Sequence, residues 1–121
     1  DHTPLLWIPF HFAIIGLGLW LLKAHFHPLA SLPIALVIGH SFGCLGFVAH
    51  DIAHGGTIKS IPIRDLLAGI AFSPFAIGPM LWRKWHNGEH HTHTQVEGVD
   101  PDHLFTMEHY EQMPVLRFLY R

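Results

Sequence analysis

An all-α integral membrane fold is predicted by the way apolar residues are distributed along the 121-residue chain. Two long uncharged runs, residues 5–22 and 29–49, precede a third, residues 66–82, that glycine and proline interrupt. Apolar residues make up 50% of the chain, charged ones only 13%, and the mean hydropathy is +0.30, a balance that favours lipid over water as solvent. The expected architecture is a hairpin of two transmembrane helices, then an interfacial or re-entrant segment, then cytoplasmic helices carrying clustered histidines. A formal charge of −2 gives no basic surface for a nucleic acid.

The first run contains no charge and a single histidine, His11. At about 1.5 Å per residue it reaches roughly 27 Å, close to the thickness of a bilayer core. The second run is interrupted only by Ser31, Ser41 and His40 among polar residues. The short connector Lys23-Ala24-His25-Phe26-His27-Pro28 makes the two an antiparallel pair. Gly39 and Gly43 form a small-xxx-small pair that is expected to let a neighbouring helix approach. Cys44 stands alone in this run, so it reads as a small hydrophobe and not as half of a disulfide.

The third run is interrupted by Gly69, Pro74, Gly78 and Pro79, so one continuous helix is not expected. Lys59 and Arg64 flank one end, and Arg83 and Lys84 the other. The positive-inside tendency puts both flanks on the cytoplasmic face, and the segment therefore lies in the interface or dips in and returns. Trp82 and Trp85 suit the interfacial belt. Residues 83–112 read as a cytoplasmic region with most of the acids: Glu97, Asp100, Asp102, Glu108 and Glu111. Arg117 and Arg121 interrupt what reads as the start of a further apolar helix. No basic region precedes the first run, so no signal peptide is expected, and the chain from Asp1 to Arg121 reads as one fragment of a longer protein.

Histidine is the main polar residue type: 13 histidines stand against 7 Lys plus Arg. Neutral imidazole is a good ligand for Zn, Fe, Cu or Ni near neutral pH, so a metal centre on a membrane face is the first expectation. His50 and His54 are spaced i, i+4 directly after the second run, and share a face if that helix continues. His86 and His90 repeat the spacing, with His91 turned by about 100° on an α-helix. Two such pairs plus one offset imidazole suit two neighbouring ions better than one tetrahedral zinc. His50 and His54 also match the spacing of a zinc protease helix. Asp51, however, stands where the general-base glutamate belongs and is one methylene shorter, so it reads better as a group that orients a ligand. His11 and His40, inside the two spans, offer a different reading as a facing pair for a haem, and a metal-storage or transport protein is another. The haem reading leaves the two clusters unexplained, whereas a storage or transport protein would use the same clusters to bind metal without O2- and reductant-dependent chemistry.

The two clusters resemble the first two histidine boxes of the membrane fatty acid desaturases and their hydroxylase relatives. The first box matches HDIAHGG at residues 50–56, and the second matches WRKWHNGEHHTHT at residues 82–94, followed by the acidic Asp100-Pro101-Asp102 segment. The resemblance covers most of the chain, and the paired boxes are fairly specific. It implies a non-haem di-iron enzyme that uses O2 and two electrons to remove hydrogens from an unactivated alkyl chain, a fatty acyl lipid or acyl-CoA. His50, His54, His86, His90 and His91 would be metal ligands, and a cytochrome b5-type or ferredoxin-type donor would dock on the cytoplasmic face of a bacterial plasma membrane or endoplasmic reticulum. An alkyl or lipid hydroxylase of the same superfamily is the alternative. The family's third histidine box has no match here, since His103 and His109 are isolated. Five ligands do not saturate two irons, so this fragment alone is expected to be inactive. His93 is open between an auxiliary ligand and a solvated residue.

Overall fold

The computed structural model describes residues 2–24, 27–103 and 105–119, and they divide into two compact units, one up to Pro79 and one from Met80 onward. The described residues of both are helical, with no strand. In the first unit a short 3-10 turn, Thr3–Leu6, runs into α1, Trp7–Ala24. Then α2 covers Pro28–His54, starting on the proline that suits a first helical position. Both helices are long and apolar enough to cross a membrane. The connector lies where expected, although its His25 and Phe26 fall outside the described residues.

The hairpin is zipped by a narrow seam. On α1 the buried positions are Ile8, His11, Ile15 and Gly18, and on α2 they include Ile38, Ser41, Leu45, Ala49 and Ile52. The alternating three- and four-residue spacing aligns one stripe on each helix. Gly18 is the close-approach point: a Cβ there would stand 2.7 Å from Ile38 Cγ1. The approach expected at Gly39 and Gly43 is not the one that α1 makes. Both are exposed, and a Cβ at either would meet nothing within 4 Å, because the α2 stripe runs through Ile38 and Ser41 instead. Away from the seam, Leu17, Leu19, Trp20, Leu32, Leu36 and Phe47 are exposed, an outer surface suited to acyl chains.

Glycine ends α2. Gly55 adopts φ +81, the left-handed conformation of a helix C-terminus, and its N–H donates to Asp51 O and Ile52 O. Next, α3 covers Ile61–Phe72 and buries Ala68, Ala71 and Phe72. A 3-10 turn, Ser73–Phe75, comes next, and then Ala76 at φ +55. The third apolar run is therefore broken, as its glycines and prolines require. Phe75 packs edge-on against Phe42, centroids 6.1 Å apart, and Pro79 returns to within 3.7 Å of a Cβ at Gly69. Phe42 lies twelve positions before His54, so α3 and its turn run back alongside α2, and the chain then doubles on itself.

The second unit takes up α4, Pro79–Trp82, from Met80 onward, and α4 leads into a π-helical segment, Arg83–His90. A loop with left-handed Gln95 (φ +67) and Gly98 (φ +76) comes after it. Two short helices complete the unit: α5, Met107–Gln112, and α6, Pro114–Leu119. The Thr106 hydroxyl caps α5 by accepting from His109 N–H at 3.2 Å.

Candidate metal centre

The first histidine box is the last turn of α2. The helix continues unbroken to His54, so the i, i+4 spacing places the His50 and His54 rings 4.5 Å apart, centre to centre. His50 is half-buried and His54 exposed. Several groups fix the turn beyond it. Lys59 Nζ donates to Gly55 O at 3.0 Å, placing a cation at the negative end of the helix. Arg64 lies against Gly55, where a Cβ would meet its Nη1 at 2.5 Å. Buried Thr57 donates its hydroxyl to Asp51 Oδ2, and the same carboxylate would meet a Cβ at Gly56. Asp51 was expected to orient a ligand, whereas the hydrogen bond seen here runs to Thr57. Its carboxylate thus ties the end of the box helix to the chain leaving it.

The second box is built differently. His91 N–H donates to His86 O at 3.0 Å, an i→i+5 bond that widens the turn. Asn87 and Gly88, both weak helix formers, lie inside it and lower the cost of leaving α geometry. The widened turn departs from the expected α spacing. His91 comes to 4.9 Å from His86, the same separation as His86–His90, and His90–His91 is 5.4 Å. Trp82 stacks on the other face of this group, 4.4 Å from the His86 ring and 22° from parallel. All three predicted residues of this box are therefore neighbours on one turn.

Two carboxylates reach back to this turn from the loop. His86 Nδ1–H donates to Asp102 Oδ2 at 2.8 Å, and His90 Nδ1–H donates to Asp100 Oδ1 at 2.8 Å. Asp100 also accepts from the backbone N–H of Gln95 at 2.7 Å and of Asp102 at 2.9 Å. Burial by itself would raise the Asp100 carboxyl, but the bond from His90 and the two backbone bonds outweigh it and lower the pKa to about 2. One ligand atom from each of His86, His90 and Asp102 lies within 4.8 Å of the others, a group able to hold a cation. His93 does not join this group; its Nδ1 is 3.7 Å from Glu89 Oε2, beyond hydrogen-bond reach. The acidic segment was visible in the sequence, but its pairing with individual imidazoles was not.

Away from the boxes, His11 and His40 line one groove of about 510 Å³ between α1 and α2, so they do approach each other. His11 is buried against Trp7 and Phe10, and Cys44 Sγ lies 3.5 Å from His40 Nε2.

Comparison with known proteins points the same way. The sequence pattern of the fatty acid desaturase family matches residues 26–121, most of the chain and both boxes. The chain belongs to that family. It is similar to the sn-1 linoleoyl-lipid 6-desaturase of Arthrospira platensis, 33% identical over 66 residues, 54% of this chain and 18% of that protein. It is similar also to the Delta(8)-fatty-acid desaturase of Euglena gracilis, 34% identical over 70 residues, 56% of this chain and 16% of that protein. The matched region thus spans less than a fifth of each curated relative. No solved structure matches the chain. For a desaturase-family chain the donors present suit the family's metal: imidazole nitrogens with carboxylate oxygens close by, and no thiolate among them, are a set that iron accepts.

Proposed function

We propose that this chain is part of an O2-dependent fatty acyl desaturase that introduces a double bond into an alkyl chain. His50, His54, His86, His90 and His91 are its share of the ligands of a di-iron centre. The observation that carries the reading is the second box. Three imidazoles gather on one turn, two of them with Nδ1 engaged by carboxylates, which makes Nε2 the nitrogen that would serve as a ligand. Both named relatives support the class of substrate, since one is named for a linoleoyl lipid and the other for a fatty acid.

Bound iron would supply the O2- and electron-dependent oxidation of an otherwise inert C–H bond. The chain's own residues hold and position. The α2 seam fixes the height of His50 and His54 at the end of a span, and Gly55, Lys59 and Arg64 stop the helix there. Trp82 covers one face of His86 with an apolar ring, which limits water on that side. The exposed apolar surfaces of α1 and α2 suit them to lipid, with Lys59, Arg64, Arg83 and Lys84 at the cytoplasmic interface. The fold-back of α3 along α2 suits a segment that dips toward the membrane and returns. The electron donor, cytochrome b5-type or ferredoxin-type, would then reach the boxes from the cytoplasm.

The test is expression of the complete gene in cells that lack the product, with fatty acid profiling. A new double bond that disappears under iron limitation is expected. A hydroxylated chain, or no change in the lipids of cells that accumulate the protein, would overturn the proposal.

A further inference from the structure

The loop after the second box carries more than its sequence position suggests. Asp100 and Asp102 lie ten and sixteen residues beyond the histidines they contact, yet each meets a different imidazole at 2.8 Å. A carboxylate can only accept a hydrogen bond, so in each pair a proton sits on Nδ1, and in the neutral ring the lone pair is then on Nε2. The arrangement is specific in three respects. The Asp100 side chain is fully shielded from solvent, whereas that of Asp102 is one-third exposed. Asp100 uses both oxygens, one shared between His90 and the Asp102 N–H and the other taken by Gln95 N–H. Asp102 Oδ2 lies 2.8 Å from His86 Nδ1 and 3.8 Å from His90 Nδ1, so it faces both rings but bonds one.

Left-handed Gln95 and Gly98 bend the loop so that Asp100 returns to the box. Gln95 is not a glycine, and a non-glycine residue held at positive φ is uncommon without surrounding contacts that fix it. Here the fixing contact is its own N–H on the Asp100 carboxylate. The loop and the histidine orientation are therefore one construction, with Asp100 at its centre.

We infer that Asp100 and Asp102 are positioning residues that fix His90 and His86 in the Nδ1–H tautomer and so reserve Nε2 of both for metal. The inference rests on the metal-binding reading of the box. It extends that reading to two residues that lie outside the histidine pattern and divides their work. Asp100 orders the loop and His90 together, and Asp102 sets His86. The competing arrangement has Asp102 as a ligand itself, within the His86–His90–Asp102 group. In that arrangement the loss of the Asp102 carboxylate would remove a donor atom, and not only the partner of His86.

The test uses the complete protein, purified metal-free and labelled with 15N-histidine, with the His86 signals assigned by their loss in His86→Gln. Nitrogen shifts report the tautomer, and Co2+ titration reports affinity. In the unaltered protein His86 is expected as the Nδ1–H tautomer. In Asp102→Ala that population should redistribute and Co2+ should bind about 10–100-fold more weakly, the usual cost of losing a ligand's hydrogen-bond partner. Asp102→Asn, whose amide oxygen still accepts, should restore most of both. The inference is overturned if Asp102→Ala leaves the tautomer unchanged and affinity within about twofold. It is also overturned if both variants lose a whole equivalent of Co2+, which would make Asp102 a ligand. The tautomer is read without metal or lipid, so a protein that never desaturates would sink the proposed function and leave this result standing.

Discussion

The two histidine boxes reach similar donor groupings by opposite means. The first sits on the last regular turn of a 27-residue helix, and its spacing is the spacing of the helix itself. The nearby carboxylate, Asp51, binds Thr57 and closes the helix end. The second sits on a widened π turn, where α spacing does not govern, and carboxylates from a downstream loop hold its rings. Box 1 is thus fixed by the helix on its N-terminal side and box 2 by the loop on its C-terminal side. Box 1 therefore depends on the hairpin that carries it, and box 2 on the loop that returns to it.

The largest expected effect ignores this difference. Either His50→Ala or His86→Ala in the complete protein should abolish iron-dependent desaturation while the protein stays in the membrane fraction. Retained double-bond formation in either would remove that residue from the ligand set. Thr57→Val comes next, because it deletes a donor to a carboxylate. Loss of such a bond costs roughly 1.5–3 kcal/mol, visible as a lower thermal midpoint. Thr57→Ser should recover it. An unchanged midpoint in Thr57→Val would show that this bond does not close the helix end of box 1.

Gly18→Ala tests the seam that carries box 1. Its new methyl would stand 2.7 Å from Ile38 Cγ1, and overpacking of this kind costs about 1–3 kcal/mol. Gly39→Ala and Gly43→Ala meet no described neighbour and should be milder in this hairpin. Equal effects at the three sites would place another helix on the exposed face of α2. The smallest effect concerns pH. Because the Asp100 pKa is lowered from 3.8 to about 2, its stabilising contribution is complete above pH 3.8 and is lost as the pH falls through 2. The 13C shift of its carboxyl should therefore stay constant from pH 7 to pH 4, and a midpoint near 4 would contradict the hydrogen-bond set.

Much of this comparison was legible in the sequence, and the boundary is physical. Uncharged length marked α1 and α2, and proline with glycine marked the break after α3, because both are local properties. Box 1 was legible for the same reason: His50 and His54 inherit the periodicity of the helix they end. Box 2 was legible as a cluster but not as a geometry. The i→i+5 bond at His86 and His91 replaces the α spacing on which the sequence reading relied, and it brings the His91 ring to 4.9 Å from that of His86. The partners of His86 and His90 lie across a loop whose path turns on Gln95 and Gly98. Gly39 and Gly43 make a related point: a small-residue pair marks a surface that can be approached, but α1 packs along the stripe through Ile38 and Ser41 instead.

The most direct test of the central claim is the iron content of the complete protein, compared between the unaltered chain and two paired variants. One variant is His50→Ala with His54→Ala, and the other is His86→Ala with His90→Ala. Both boxes are held to be ligand sets, so iron should be lost from each variant while the helix content is kept. Full iron retention in either variant would contradict the account.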